Sequence, residues 1–337
     1  LKKFIMSISI IKPGILDTVQ DMGRYGYGSL GINCGGAMDR HAAALGNMLV
    51  GNAAEDAVLE MHFPGPQILF EQNALISITG ADFNASLNDE LLPRWTPLLV
   101  RKNTILHFPK WQWGSRTYLA LHGGICADNW LGSYSTNLKA IAGGFRGRKL
   151  DKGDELTTRE SLIYFPALLH PAKDLRKLRW TASTGDVYAN PEIIRFVRGH
   201  EFSWLEESSQ SAFLNERFVI HPFSDRMGYR LQGPRLNVST RHELVSSGVS
   251  FGTLQVLPNG ELIVLMADHQ TTGGYPRPGH VITADLPKLA QLRPGQPVRF
   301  AEVSIDEAER RYFERHREID ILRSACAEKL NELVCHG

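Results

Sequence analysis

Apolar residues along this chain come in short runs closed by Gly, Pro, Asn or Asp, and that pattern predicts a mainly β protein. The runs at 7–11, 67–70, 75–79, 98–101, 117–121, 218–221, 253–257, 262–266 and 298–300 read as strands. Many short strands separated by turn signals predict a barrel or a sandwich. Two stretches change to a helical period. At 38–50, Met38, Ala42, Leu45 and Leu49 share one face, and Gly51 is a C-terminal stop. At 305–334, Ser304 and Glu307 form a capping box, and Ile305, Ala308, Tyr312, Ile319, Leu322, Cys326 and Leu333 follow a 3–4 spacing. That helix either packs on its own protein or docks a partner.

The order of features repeats along the chain. Asp21-Met22-Gly23-Arg24-Tyr25 is echoed by Asp225-Arg226-Met227-Gly228-Tyr229. Residues 67–82 run strand, turn, strand and end in Thr79-Gly80-Ala81-Asp82; residues 255–268 do the same and end in Met266-Ala267-Asp268. Each half then meets a Leu-x-x-Gly turn, at Leu150 and at Leu292. The echo predicts two related β-barrel units, with Asp21 matching Asp225 and Asp82 matching Asp268. The expected organisation is an N-terminal unit at 7–185 with an inserted helix and Gly-rich loops, a C-terminal barrel at 186–303, and a helical tail at 304–337.

Charge removes one class of function. Lys and Arg number 37 against 36 Asp and Glu, so a general nucleic-acid binder, which needs a basic excess, is not expected. Cys34, Cys126, Cys326 and Cys335 form no C-x-x-C pair, which suggests a reducing, cytoplasmic setting. Lys2-Lys3 before an apolar run resembles a stunted signal peptide but lacks a small-residue cleavage site, and Met6 is a candidate natural start. No window reaches the roughly 18 apolar residues of a membrane helix. Gly26-Tyr27-Gly28-Ser29-Leu30-Gly31 fits G-x-G-x-x-G, yet more loop follows it where a dinucleotide site needs a helix. No Walker A, zinc or nucleophile-elbow sequence is present, so no metal ligands are assigned.

The candidate chemistry lies in Gly-rich polar loops. Asp268-His269-Gln270-Thr271-Thr272-Gly273-Gly274-Tyr275-Pro276-Arg277 follows an apolar strand and is the densest of them. Its Gly pair permits close backbone approach and an anion-binding nest, or simply a tight turn capped by its own side chains. Gly35-Gly36 precedes a helix start, where Asp39 is either part of an anion site or a cap. Arg146 and Arg148 either grip a carboxylate or phosphate or lie solvated. Asp225 and Arg226 form either a functional or a structural pair.

Taken in order, Pro13-Gly14, Thr18-Val19-Gln20-Asp21, Gly36-Ala37-Met38-Asp39, Thr79-Gly80-Ala81-Asp82, Gly123-Gly124-Ile125, Leu131-Gly132-Ser133, Ser224 to Tyr229 and Gln270 to Pro276 resemble the biotin-dependent carboxyltransferase-like, or allophanate-hydrolase-subunit-2-like, family. The resemblance runs from about Ser7 to Phe300 and is strongest to C subunits of ATP-dependent 5-oxoprolinase. Two positions depart from the family pattern: Gly35 stands where Ser is usual, and His122 where Arg is common.

The resemblance implies a cyclophilin-like barrel in at least the C-terminal half. It also implies an enzyme that opens 5-oxoproline to glutamate together with A and B subunits, using ATP with Mg in the complex. Biotin enters only under the alternative, the carboxyltransferase half of a urea carboxylase. A further alternative is a regulatory partner of a kinase inhibitor. On this reading Asp268, Gln270 and Arg226 are the catalytic candidates, Asp268 as base or anchor and Arg226 as anion partner. Thr271, Thr272, Tyr275, Asp225, Tyr229, Asp39 and Arg146 are the substrate-binding candidates.

Overall fold

A computed structural model describes residues 5–159, 169, 173–239 and 244–336. The chain divides into two compact units, and the division is not a single cut near 185. Residues 1–23, 39–183 and 317–337 form one unit; residues 24–38 and 184–316 form the other.

The first unit holds β1 (Ser7–Lys12), β2 (Thr18–Gln20), β3 (Val58–His62), β4 (Gln67–Phe70), β5 (Ala74–Asp82), β6 (Ser86–Leu87), β7 (Glu90–Leu91), β8 (Pro97–Val100), β9 (Ile105–His107), β10 (Trp113–Leu121), β11 (Glu155–Thr157) and β12 (Leu175–Lys177). They form two six-stranded sheets, ordered β11-β1-β4-β9-β6-β7 and β12-β8-β5-β10-β3-β2. One apolar cluster joins them: Ile8, Ile10, Ile68 and Phe70 from the first, Ile76, Ile78, Leu119 and Leu121 from the second. Strand alternation turns Ser77 and Thr79 to the other face of β5. There they meet helix α1 (Arg40–Leu49), with Ser77 Oγ donating to the Gly46 carbonyl at 2.6 Å and Thr79 Oγ1 to the Ala42 carbonyl at 2.7 Å. Gly46 permits this approach, because a Cβ there would lie 3.0 Å from Thr79 Oγ1.

The second unit holds β13 (Ile193–Arg198), helix α2 (Glu207–Asn215), β14 (Phe218–Ile220), β15 (Gly228–Gln232), β16 (Ser247–Gly248), β17 (Thr253–Val256), β18 (Leu262–Leu265), β19 (Thr272–Gly273), β20 (Gly279–Val281), helix α3 (Leu286–Ala290) and β21 (Pro297–Glu302). Seven of the strands close a barrel in the order β13-β20-β17-β18-β15-β14-β21. Its core is aromatic. Phe213 of α2 stacks on Phe300 with centroids 5.0 Å apart and meets Phe196 edge-on at 5.0 Å, which fixes α2 against the strands.

The mainly β expectation and the C-terminal barrel hold. The first unit, however, is two sheets where the echo predicted a barrel. The cause is in the pairing. β4 and β5 lie in different sheets, whereas β17 and β18 form a hairpin with Leu254 opposite Val264. Accordingly Asp82 ends a strand, paired opposite Trp113, while Asp268 sits beyond the end of β18. The likeness of Asp21 and Asp225 is confined to the turn, where each carboxylate accepts from the backbone N–H two residues on.

Helix α4 (Ile305–His336) begins as its cap predicts, with Ser304 Oγ accepting from Glu307 N at 3.1 Å. Its later half packs on its own protein: Ile319, Leu322 and Cys326 cluster with Ala44, Leu45, Met48 and Leu49 of α1. Among the described residues no helix is long and apolar enough to cross a membrane.

Candidate functional site

The 270–277 loop leaves β18 and returns to β20 along the outer wall of the barrel. Thr272 and Gly273 pair with Gly248 and Ser247 in a short ribbon. Arg277 holds its return limb, donating from Nη1 to Ser247 Oγ at 2.8 Å and from Nη2 to Glu201 Oε1 at 2.9 Å. Glu201 is buried, so this pair is a firm anchor. The crest is open: Gln270 and Thr272 are exposed, and Tyr275 presents 42% of its surface. Gln270, Thr271, Thr272 and Tyr275 therefore share one loop.

Asp268 and Arg226 meet beside it. Arg226 grips the Asp268 carboxylate with two bonds, from Nε at 2.8 Å and Nη2 at 2.9 Å. Arg226 Nη2 also donates to the Gly36 carbonyl at 2.7 Å, and Asn33 Nδ2 donates to the Asp268 carbonyl at 2.9 Å. The pair thus ties the 33–36 segment to the start of the loop. Both carboxylate oxygens accept from one guanidinium, a geometry suited to anchoring; the reading of Asp268 as a base and of Arg226 as a grip for a free anion meets this prior engagement.

Other candidates fall elsewhere. Tyr229 is a barrel-core residue, 3% exposed. Asp225 is exposed and caps its own turn, Oδ1 accepting from Met227 N at 2.8 Å and Gly228 N at 3.2 Å. Asp39 belongs to the first unit, where its carboxylate accepts from Ala42 N at 2.9 Å and caps α1. Arg146 also lies in the first unit, exposed, with its guanidinium 5.1 Å from the Phe145 ring. His122 is buried and bonded through Nδ1 to the Val50 carbonyl at 2.6 Å; burial lowers its pKa. A neutral imidazole so placed gives that strand end no fixed cation.

Pattern reading missed Gln255. It lies in β17 and is 1% exposed. Its neighbours Leu254 and Val256 join the barrel core, so alternation turns Gln255 outward, beneath the 270–277 loop. Gln270 Nε2 reaches its Oε1 at 3.4 Å, and among the described residues nothing accepts from Gln255 Nε2. Leaving such a donor unpaired costs about 1–3 kcal/mol. The available signal was an amide inside an apolar strand. A recess of about 240 Å³ on the barrel, lined by His221, Arg230, Arg235 and Glu261, includes none of these residues.

Among the described residues no group of three His, Cys, Asp or Glu side chains is disposed to hold a metal. Of the arginines that the sequence offered to anions, Arg226 is engaged with Asp268 and Arg148 with Asp154 at 2.6 and 2.8 Å, whereas Arg146 is exposed.

Residues 30–302 match a family model described as the carboxyltransferase domain, subdomain A and B. The chain is 38% identical over 322 residues to the C subunit of 5-oxoprolinase from Escherichia coli K12, covering 91% of this chain and 97% of that one. It is 35% identical to the 5-oxoprolinase C subunit of Haemophilus influenzae, over 93% and 96% respectively. Among solved structures it resembles the urea carboxylase of Kluyveromyces lactis with a TM-score of 0.81 and 28% identity, over 94% of this chain but 29% of that much longer one.

Proposed function

Because this chain belongs to the family of carboxyltransferase domains comprising subdomains A and B, we propose that it works as the C subunit of an ATP-dependent 5-oxoprolinase. The observation that carries this reading is the end-to-end match, at over a third identity, to two 5-oxoprolinase C subunits of similar length. The urea carboxylase and urea amidolyase relatives use such a segment as a minor part of a larger chain.

The reaction opens a lactam to glutamate, with partner A and B subunits supplying the ATP-dependent activation of the amide. Activation is needed because the ring opens at its C–N bond, and an amide is a weak electrophile whose nitrogen leaves poorly. In this reading the chain binds and orients 5-oxoproline at the barrel wall, with the 270–277 loop over it and the Arg226–Asp268 pair fixing the loop's start. Pre-organised donors of this kind stabilise developing charge without reorganisation. The chain is silent alone and works in the cytoplasm within the complex.

The test is reconstitution. The chain alone, with B, and with B and A are each given ATP and 5-oxoproline, and glutamate is measured. Glutamate only in the full mixture supports the reading; release by the chain alone, or none in any mixture, refutes it. The structural likeness to urea carboxylase favours a second reading, carboxyl transfer from a biotin carrier to urea, which the same preparations test with carboxybiotin and urea.

A further inference from the structure

Gln255 combines three features that a packing residue does not need. Its side chain is almost wholly buried, its amide Nε2 has no acceptor among the described residues, and it lies under the most polar loop of the chain. A buried amide donor left unpaired is a standing cost to folding, and an apolar side chain of similar shape would remove it. An aspartate or histidine in the same position relieves burial by changing its protonation; a carboxamide has no such exit.

The covering loop is fitted to this amide. A Cβ at Gly273 would lie 2.4 Å from Gln255 Nε2, so the glycine lets the turn rest directly on the amide and a larger residue there would push the amide aside. The turn itself is lightly held. Its ribbon consists of two residue pairs extended by one backbone bond, Val249 N to the Thr271 carbonyl at 3.1 Å, and Thr272, Ser247 and Gly248 are exposed. The firm anchors lie at its two ends, Asp268 on Arg226 and Arg277 on Glu201. A turn anchored at both ends and loosely paired at its crest can lift over a small molecule without disturbing the barrel.

We propose that Gln255 is a substrate-binding residue whose Nε2 donates to an oxygen of a small cyclic amide acid admitted beneath the Thr271–Gly274 turn. This rests on the 5-oxoprolinase reading and deepens it. Such a substrate carries a lactam carbonyl and a carboxylate, both acceptors, which is the partner a lone buried donor lacks. Binding then closes the turn on the ligand and satisfies the amide, so recognition draws on a cost already present in the free fold.

The test uses Gln255→Met and Gln255→Glu in the chain reconstituted with both partner subunits. Methionine conserves the volume and deletes the donor. The expected result is a thermal midpoint equal to or above wild type, with KM for 5-oxoproline raised at least about tenfold and kcat changed less. Glutamate replaces the donor by an acceptor, and KM is expected to rise further. A methionine variant with unchanged KM overturns the inference and makes Gln255 a packing residue. A methionine variant that fails to fold also overturns it, because the amide would then have a structural partner. If the wild-type complex leaves 5-oxoproline intact, the functional reading falls and this inference with it; wild-type turnover with normal Gln255→Met kinetics removes the inference alone.

Discussion

Two Gly-rich polar clusters in this chain look alike as sequence and behave differently as structure. In the N-terminal unit, Asp21 gathers the loop around Ser133. Its carboxylate accepts from Ser133 Oγ at 2.7 Å, Ser135 Oγ at 2.5 Å, Tyr134 N at 2.5 Å and Gly23 N at 2.7 Å. Every bond is internal, and Asp21, Ser133 and Ser135 are buried. In the barrel unit, the 270–277 loop is anchored at its ends, open at its crest, and rests on an amide donor that no described residue accepts from. Polar loops that satisfy themselves are scaffold. A polar loop that leaves a buried donor over is the better place to look for a ligand.

An unpaired buried atom is not enough by itself, and the N-terminal unit supplies the counterexample. Asp17 is fully buried; its Oδ2 accepts from Gly14 N at 2.5 Å, and Oδ1 has no partner among the described residues. Burial pushes its pKa up to about 7, against smaller opposing effects from the Gly14 bond and Lys149. Asp17 can shed its buried charge by taking up a proton as pH falls through about 7, an exit that Gln255 does not have.

The largest expected effect tests the scaffold side of the comparison. Asp21→Ala strands two buried hydroxyls and a loop, and should cost roughly 5 kcal/mol by urea unfolding, the exceptional end for a point change. A loss below about 1 kcal/mol would mean that the cluster is not structural. Arg226→Met leaves Asp268 without its guanidinium and should cost roughly 3–5 kcal/mol. If stability is untouched while turnover in the complex falls, the pair belongs to the chemistry and the anchor reading is wrong.

Asp17→Asn sharpens the counterexample. The folded chain keeps a proton that the unfolded chain releases above its ordinary pKa of about 4. Stability contributed by this group is therefore present below pH 4 and lost as pH rises through about 7. The asparagine variant should be more stable than wild type at pH 8.5, by roughly 2–3 kcal/mol, and the gain should shrink toward pH 4. A gain independent of pH would show that Asp17 is not protonated in the fold. The smallest effect is at Asp39, where Ala should cost about 1 kcal/mol through loss of the α1 cap, with complex activity per folded molecule unchanged.

Much of this was legible in the sequence. The nine apolar runs all fall on strands, from β1 to β21; α4 begins at the predicted cap, and α1 begins two residues after the expected Met38, with Asp39 taking the capping role of its two open readings. These elements have strong periods and local caps. Helix α2 was not foreseen because Glu207–Asn215 carries only Ser209 and Phe213 as buried residues, and it is held by Phe213 in the barrel core. β15 was read as loop because Gly228 and Arg230 break its apolar run; tertiary pairing with β14 and β18 makes it a strand. At the candidate site the loop residues were visible as a motif. The engagement of Asp268 by Arg226, the capping roles of Asp225 and Asp39, and the burial of Gln255 were not, because each depends on a partner distant in sequence or on strand facing.

The most direct measurement is amide hydrogen exchange on this chain within the reconstituted complex, with and without saturating 5-oxoproline. Exchange reads local opening of loops and its suppression by ligand. The account predicts slower exchange at 246–250 and 270–277 on adding 5-oxoproline, with 131–136 unchanged. Protection at 131–136 with none at 270–277 would contradict it.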